Sequence, residues 1–465
     1  MKTKCLFVFL LLVLCHVLPT HAQTLEWVRQ LGTSTYDWSQ DASADGMGNV
    51  YIVGWTGTGG NLGGPSAGDA DVFLSKYNTS GTLEWIRQLG TSEGDDGWGV
   101  SADGMGNVYI SGWTIGSLGG PNAGGFEPFL AKYVGNGSLE WIRQISTDFG
   151  FNIRVLVSAD DLGNVYLTSS TRDSLGGLNA GGWDVFLQKY DAYGSLEWIR
   201  QFGTSETEHG HSVSADGLGN VYISGATAGS LGGPNAGDDD AFLCKYDANG
   251  TLEWIRQFGT SEWDCGWDVS ADGLGNVYIS GNTSGSLGGP NAGSDDAFVC
   301  KYDAYGTIEW IRQLGTSERE RSCNVSADGM GNVYISGITE GSLGGPNAGG
   351  SLYRDVFLGK YDAGGTLRWI QQLGTDFNDY CYGVSADGMG NVYISGFTGG
   401  NLGGLNAGLQ DAFVAKYSDQ LSLPADLDDD GDVDGADFLA WQRGESPDPL
   451  SSSDLASWQA TFGTG

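Results

Sequence analysis

The chain has 465 residues, including 79 Gly and 10 Pro, and is 40% hydrophobic, 12% aromatic and 17% charged. That apolar and aromatic content is enough for a packed core, which excludes wholesale disorder, and glycine without a three-residue period excludes a collagen-like rod. With 22 Lys+Arg against 57 Asp+Glu the net charge is -35. Such a surface repels phosphate backbones and anionic lipid, so nucleic-acid and membrane-surface partners are disfavoured and divalent cations favoured.

In chain order, Lys2 and Lys4 form a short basic region, and Cys5 to Cys15 is an apolar run too short to span a bilayer. Thr20-His21-Ala22 is a small-x-small cleavage site. Residues 1–22 therefore read as a signal peptide, with Gln23 first in the mature chain. A lipoprotein would need a small residue before Cys15, where Leu14 stands. No later apolar run approaches membrane length, so the expectation is a secreted or cell-surface protein without membrane insertion.

Residues 23–418 are built from a repeat. The motif L-E-W, or a close variant, places Trp27, Trp85, Trp141, Trp198, Trp254, Trp310 and Trp369 in register. G-N-V-Y and K-Y recur in step with it, as at Asn49 and Tyr77 and again at Asn391 and Tyr417, making seven copies of each. Each copy holds four strand-like segments. In the second they are Trp98 to Asp103, Asn107 to Trp113, Pro128 to Tyr133 and Ser138 to Gln144, rich in Val, Ile, Tyr, Phe and Trp and separated by turn residues. Asp-Gly-x-Gly-Asn joins the first to the second and Asp-Ala-x-Gly typically joins the third to the fourth, both as tight hairpins. In DVFLSKY, Val72 and Leu74 point one way and Phe73 and Tyr77 the other, so the sheet is packed on both faces, as a blade between two blades would be.

The order of segments sharpens this reading. The mature chain begins with a lone fourth-type segment, Leu25 to Leu31, and the last copy ends at Tyr417 without one. An open array would leave its end sheets incomplete. A closed ring lets the N-terminal strand complete the last blade and removes the exposed edges. The expectation is an all-β, seven-bladed propeller with four-stranded blades, in which Thr24 to Leu31 is the outermost strand of the blade made by residues 384–417. The copies of VSADGMGNVYISG, LGGPNAG and DAFLCKYDANGTLEWIRQ resemble the bacterial β-propeller repeat family labelled SBBP, from residue 24 to about 418. The resemblance implies an exported bacterial propeller and transfers no catalytic residues.

Residues 419–424 read as a linker. Beyond them, Asp426, Asp428, Asp430, Asp434 and Asp437 occupy positions 1, 3, 5, 9 and 12 of a twelve-residue calcium loop. Asp432 offers a backbone carbonyl at position 7, and Gly431 sits at position 6, where the loop must turn sharply. So many carboxylates in one loop repel one another without a divalent cation, which makes calcium the expected cofactor. Asp at position 12 followed by FLAWQ resembles a dockerin-type loop and helix. A second unit aligned through Trp458-Gln459 keeps only Asp454, so residues 425–465 read as a small α-helical, dockerin-like module with one intact site. The resemblance implies a cohesin-like or cell-surface partner for the tail, although one intact site puts ordinary two-site docking in doubt.

The seven mature lysines all belong to K-Y, and six arginines, from Arg29 to Arg312, belong to W-I/V-R, which points to structural pairing and leaves no basic patch. The Asp of each S-A-D recurs in every copy and reads as a hairpin device. His209 and His211 have a spacing that would suit a metal but lack an evident third ligand. The five mature cysteines, Cys244, Cys265, Cys300, Cys323 and Cys381, show no metal-ligand spacing, and Cys244 and Cys300 read as small buried residues in preference to a disulfide. The blade-to-blade segments differ most. Their Trp38, Trp98, Phe151, His209, His211, Trp263, Trp267 and Tyr380 are the candidate ligand face for a protein or glycan, or in part plugs for the axial channel. No Ser-His-Asp or Cys-His set stands out. The expected function is a non-catalytic binding or scaffold protein, with a carbohydrate-active enzyme or accessory subunit of extracellular polysaccharide degradation as the alternative.

Overall fold

The computed structural model describes residues 22–147 and 154–420. Its strands form seven four-stranded antiparallel sheets in which consecutive strands are neighbours, except in the last. There Ala22–Leu31 pairs outside Asp411–Gln420. The offset register is thus a ring closure by the N-terminal strand. The side chains around the joint repeat those of an ordinary blade: Gln30 donates to Asp411 at 3.0 Å, as Gln88 donates to Asp71 at 2.7 Å. Residues 1–21 of the signal segment, residues 421–424 of the linker and the calcium loop with its expected helices lie outside the described residues, as does Phe151; Ala22, expected to end the signal segment, and Asp419 and Gln420, expected in the linker, belong instead to the paired strands.

The blades pack through both faces, as the alternation in DVFLSKY requires. Val72 and Leu74 join Val100, Val108 and Ile110 of the second blade. Phe73 and Tyr77 join Trp27, Tyr393 and Val414 on the other side. Cys244 and Cys300 are fully buried in such layers, and Cys244, Cys265 and Cys300 are free thiols.

Six of the seven outer strands also grip the next blade. Trp27 Nε1 donates to the Thr79 carbonyl at 3.1 Å and Arg29 Nε to the Gly81 carbonyl at 2.7 Å, with the Arg29 guanidinium 5.3 Å from the Trp27 ring centroid. Gly81 has φ 73°, and a Cβ there would lie 2.7 Å from the indole. Only glycine satisfies both the left-handed turn and the close approach. Five of the repeat lysines pair with the glutamates of L-E-W or its variant, as in Lys245–Glu253 at 2.8 Å. The repeat arginines hold backbone carbonyls instead of acids.

The inner strands Asp37–Ala44, Asp95–Ala102, Leu156–Ala159, Glu208–Ala215, Asp264–Ala271, Glu320–Ala327 and Asp379–Ala386 converge on the axis. Their inward edges have no partner strand, and serines fill the gap. Ala102 N donates to Ser43 Oγ at 3.0 Å and Ala159 N to Ser101 Oγ at 2.9 Å. The pattern continues through Ser158, Ser214, Ser270 and Ser326 until Ala44 N donates to Ser385 Oγ at 2.9 Å. Seven hydroxyls thus link seven blades in an unbroken circle.

The circle predicts that Ser385→Ala, at the joint between the two chain ends, destabilises as much as Ser214→Ala inside the chain. Each leaves one amide without its acceptor, costing about 1 kcal/mol, at the low end because channel water can reach it. Denaturant unfolding of the two variants measures this. A neutral Ser385→Ala beside a costly Ser214→Ala would mean that the circle is not closed.

Candidate functional site at the axial mouth

The variable segments are not simply loops. The inner strand of the second blade starts at Asp95, before the Trp98 expected from sequence, so Trp98 lies within it. Trp38, His209, His211, Trp267 and Tyr380 are likewise strand residues, and only Trp263 sits in the connection before its strand. The reading of these residues as blade-to-blade loops is corrected accordingly. Glycines such as Gly97, Gly99, Gly210 and Gly266 interrupt the β alternation there, which hid the strands.

In six blades the inner strand contains a bulge. The register skips one residue between Ser39 and Asp41, Gly97 and Gly99, Gly210 and Ser212, Gly266 and Asp268, Ser322 and Asn324, and Cys381 and Gly383. The skipped residues are Gln40, Trp98, His211, Trp267, Cys323 and Tyr382. A bulged residue stands outside the ladder register and leaves the alternation, which re-aims its side chain. Gln40, Trp98, His211, Trp267 and Tyr382 together line an axial cavity of about 590 Å³, joined by Arg154 of the third blade. Trp38, His209 and Trp183 complete its wall.

Within this wall the aromatic groups order one another. The Arg154 guanidinium carbon lies 4.9 Å from the Trp267 ring centroid and 5.5 Å from that of Trp98. Trp267 stacks on His211 at 4.4 Å and 19°. His211 Nδ1 is 3.0 Å from the Gly266 carbonyl and 3.4 Å from Cys265 Sγ. Burial, then the Arg154 charge, pushes the His211 pKa down to about 3, so the ring is neutral at physiological pH. Burial lowers that of His209 as well. The two imidazoles are parallel, 6.0 Å apart, and the described residues contain no group of three His, Cys, Asp or Glu able to hold a metal.

Trp38 belongs partly to packing: it stacks on Phe397 at 4.4 Å and donates Nε1 to Gln410 at 2.8 Å. Tyr380 packs on Phe397 at 4.7 Å and hydrogen bonds Arg354. Trp263 donates to Asp239 at 3.2 Å, outside the cavity wall. Sequence reasoning passed over Gln40, Arg154, Trp183 and Tyr382. The signal for Gln40 and Tyr382 was positional: both lie five residues before the aspartate of S-A-D, as Trp98, His211 and Trp267 do. Trp183 interrupts a glycine-rich connection and is held under Arg172, whose guanidinium is 4.5 Å from its ring centroid.

One residue deeper lies a narrower space of about 180 Å³ containing Asp41 and Asp268. Asp41 accepts from Ala42 N at 2.8 Å and Val100 N at 2.9 Å. Asp268 accepts from Val269 N at 2.8 Å, Ser212 Oγ at 2.5 Å and Val325 N at 2.7 Å. Each carboxylate ties its strand to neighbouring blades. Asp41 keeps some surface toward the channel, yet protein surrounds it. Burial, reinforced by the Asp268 charge, pushes its pKa up to about 8 against the hydrogen bonds from Val100 and Ala42. The aspartates of S-A-D lie at the opposite mouth and act as hairpin devices: Asp103 Oδ1 accepts from Met105 N at 3.0 Å and Asn107 N at 2.8 Å.

The raised Asp41 sets a pH dependence. Above its unfolded value the carboxyl ionises in the unfolded chain while staying protonated in the folded one, so stability falls with rising pH until about 8. Between about pH 6.5 and 8.5, above the range where ordinary carboxylates and the depressed His211 titrate, the melting temperature should fall, and Asp41→Asn should flatten that slope. Melting curves of the two proteins across this window decide it, and parallel slopes would contradict the assignment.

Five segments, residues 26–61, 84–119, 197–233, 253–288 and 368–403, match the SBBP family model, "Beta-propeller repeat". Regulatory protein FlaEY of Caulobacter vibrioides is 24% identical over 413 residues, 77% of this chain and 41% of that protein. An uncharacterized WD repeat-containing protein, L264, of Acanthamoeba polyphaga mimivirus is 24% identical over 226 residues, 40% of this chain and 16% of that one. The chain thus spans less than half the length of either relative. Among solved structures, the β-propeller domain of the Trilobed protease from Pyrococcus furiosus aligns over 82% of this chain and 95% of that one, with a TM-score of 0.45 and 8% identity, a likeness too weak to carry an argument. The matched segments and the seven sheets agree: the chain carries SBBP beta-propeller repeats, arranged as a seven-bladed ring.

Proposed function

We propose that this chain is an exported, non-catalytic binding protein whose axial mouth receives a protein or glycan ligand. The observation that carries the reading is the set of bulged residues: five blades turn Gln40, Trp98, His211, Trp267 and Tyr382 into one concave wall. A cavity of about 590 Å³ lies within the usual range for small-ligand sites, and flat aromatic faces with a few polar groups suit a sugar ring or a protruding side chain. Asp41 and Asp268, which line the adjoining deeper space, are committed to backbone amides and the Ser212 hydroxyl, which supports binding over turnover. A regulatory protein among the relatives is in keeping with a binding role. The leader implied by residues 1–22 would place the protein outside the cell or on its surface.

We further propose that the tail holds one calcium through Asp426, Asp428, Asp430, the Asp432 carbonyl, Asp434 and Asp437, and serves for attachment to a cohesin-like or cell-surface partner. The support is the donor set, all oxygen and correctly spaced for a hard cation.

A glycan array and a pull-down from the native extracellular medium, both run on the mature chain, identify the ligand. Trp98→Ala with Trp267→Ala should then weaken binding by tenfold or more, as the loss of central aromatic anchors does. A ligand bound equally well by the double variant would remove the axial mouth as the site, and turnover of a bound glycan would favour the enzyme reading. Calorimetry on the mature chain should show a single calcium, lost in Asp430→Ala and retained in Asp454→Ala. Two equivalent sites would overturn the one-site reading.

A further inference from the structure

The opposite mouth of the axis carries a feature that neither folding nor the proposed ligand site requires. Every Asp-Gly-x-Gly-Asn hairpin, and its Asp-Asp variant in the third blade, places an apolar side chain at x: Met47, Met105, Leu162, Leu218, Leu274, Met330 and Met389. These are 56–73% exposed. Single exposed leucines are ordinary on protein surfaces, but the same position in seven consecutive hairpins sets the side chains in a ring around one mouth, and apolar exposure grouped in this way marks interaction sites. Two of the side chains reach across the gap to the next blade. Met389 Cε lies 3.6 Å from where a Gly48 Cβ would stand, and Met105 Cε 3.4 Å from that of Gly163. The tips are rigid, since Asp45 Oδ1 accepts from Met47 N at 3.0 Å and Asn49 N at 3.1 Å, and Oδ2 from Asn49 Nδ2 at 2.7 Å.

Inside this apolar annulus is an opening of about 500 Å³ lined by Ala, Asp and Gly from all seven blades. Its wall holds the seven hairpin aspartates, with Asp161 beside them. The lysines of five blades turn instead to outer-strand glutamates, in Lys76–Glu84, Lys132–Glu140, Lys189–Glu197, Lys245–Glu253 and Lys301–Glu309. The mouth is therefore an acidic centre with an apolar rim, on a protein of net charge -35.

We propose that this face docks a cationic, apolar segment of a partner protein, with a lysine or arginine in the acidic mouth and aliphatic or aromatic side chains on the Met/Leu annulus. Charge complementarity selects this occupant. A second copy would bring one acidic mouth against another, and an anionic membrane is repelled. The chain's own residues 421–465 carry many aspartates and a single cation, Arg443. The inference is independent of the aromatic mouth.

The test uses the full mature chain and three synthetic peptides: an amphipathic Lys/Leu peptide, a Lys/Ser peptide of equal charge, and a Glu/Leu peptide of equal apolarity. The Lys/Leu peptide should bind more tightly at about 50 mM than at about 500 mM salt, and the other two at least tenfold more weakly. Met330→Gln, Met389→Gln and Met47→Gln together, on three adjacent exposed tips, should weaken the Lys/Leu peptide about tenfold, whereas Trp98→Ala should leave its affinity unchanged. Equal binding of the Lys/Leu and Lys/Ser peptides, no effect of the triple variant, or no binding at all would overturn the proposal. Association with anionic vesicles would replace it with a lipid surface. A concentration-dependent dimer that the triple variant abolishes would replace it with self-association.

Discussion

Seven strands that converge on an axis present seven inward edges, and no further strand can pair with them. The backbone amides on those edges need acceptors, and the serine of each S-A-D supplies one to the following blade. The solution works only as a circle, because each blade receives from one neighbour and gives to the other. Ser385 meeting Ala44 across the two ends of the chain is the closing link. The outer grip of Trp and Arg on the next hairpin follows the same neighbour-to-neighbour logic. One exception fits the closure: Gln371 stands where the other outer strands carry the gripping Arg. The blade it faces draws its outer strand from the N-terminus, so it has no hairpin between third and fourth strands to grip.

The same geometry separates structure from recognition. Toward the ends of the inner strands, residues repeat because each must satisfy a neighbour. Toward their starts, a bulge in six of the strands takes one residue out of the ladder's alternation, and there the blades differ: Gln40, Trp98, His211, Trp267 and Tyr382. Variation is tolerated where the side chain has left the alternation that packs one blade on the next. Deeper in the channel Asp41 and Asp268 return to structural duty, and their burial disfavours ionisation.

Much of the ring was legible in the sequence. The copies of L-E-W, G-N-V-Y and K-Y defined four strands each, and the lone Leu25–Leu31 segment revealed the closure. The inner strands were harder. Gly97 and Gly99 around Trp98 look like a loop, and a bulge inverts the side-chain alternation on which strand recognition rests. The circle of serines was hidden, since a serine before Ala-Asp reads as a turn residue. The arginines of W-I/V-R pointed to structural pairing, but not to their partners, which are backbone carbonyls and leave no trace in a sequence. Of the aromatic candidates, Trp98 and Trp267 reach the axis through bulges, while Tyr380 and Trp263 are held beside it. Composition does not distinguish the two groups, but the distance from S-A-D does.

Removal of the N-terminal strand tests the closure most directly. A mature chain lacking residues 24–31 retains every blade-forming segment except the outer strand of the last sheet. The account predicts an exposed edge on Asp411–Gln420, loss of the monomeric state or aggregation, and a large drop in melting temperature. Sedimentation and thermal melting of the truncated and parent proteins, side by side, give the answer. A truncated chain that stays monomeric and melts with its parent would contradict it.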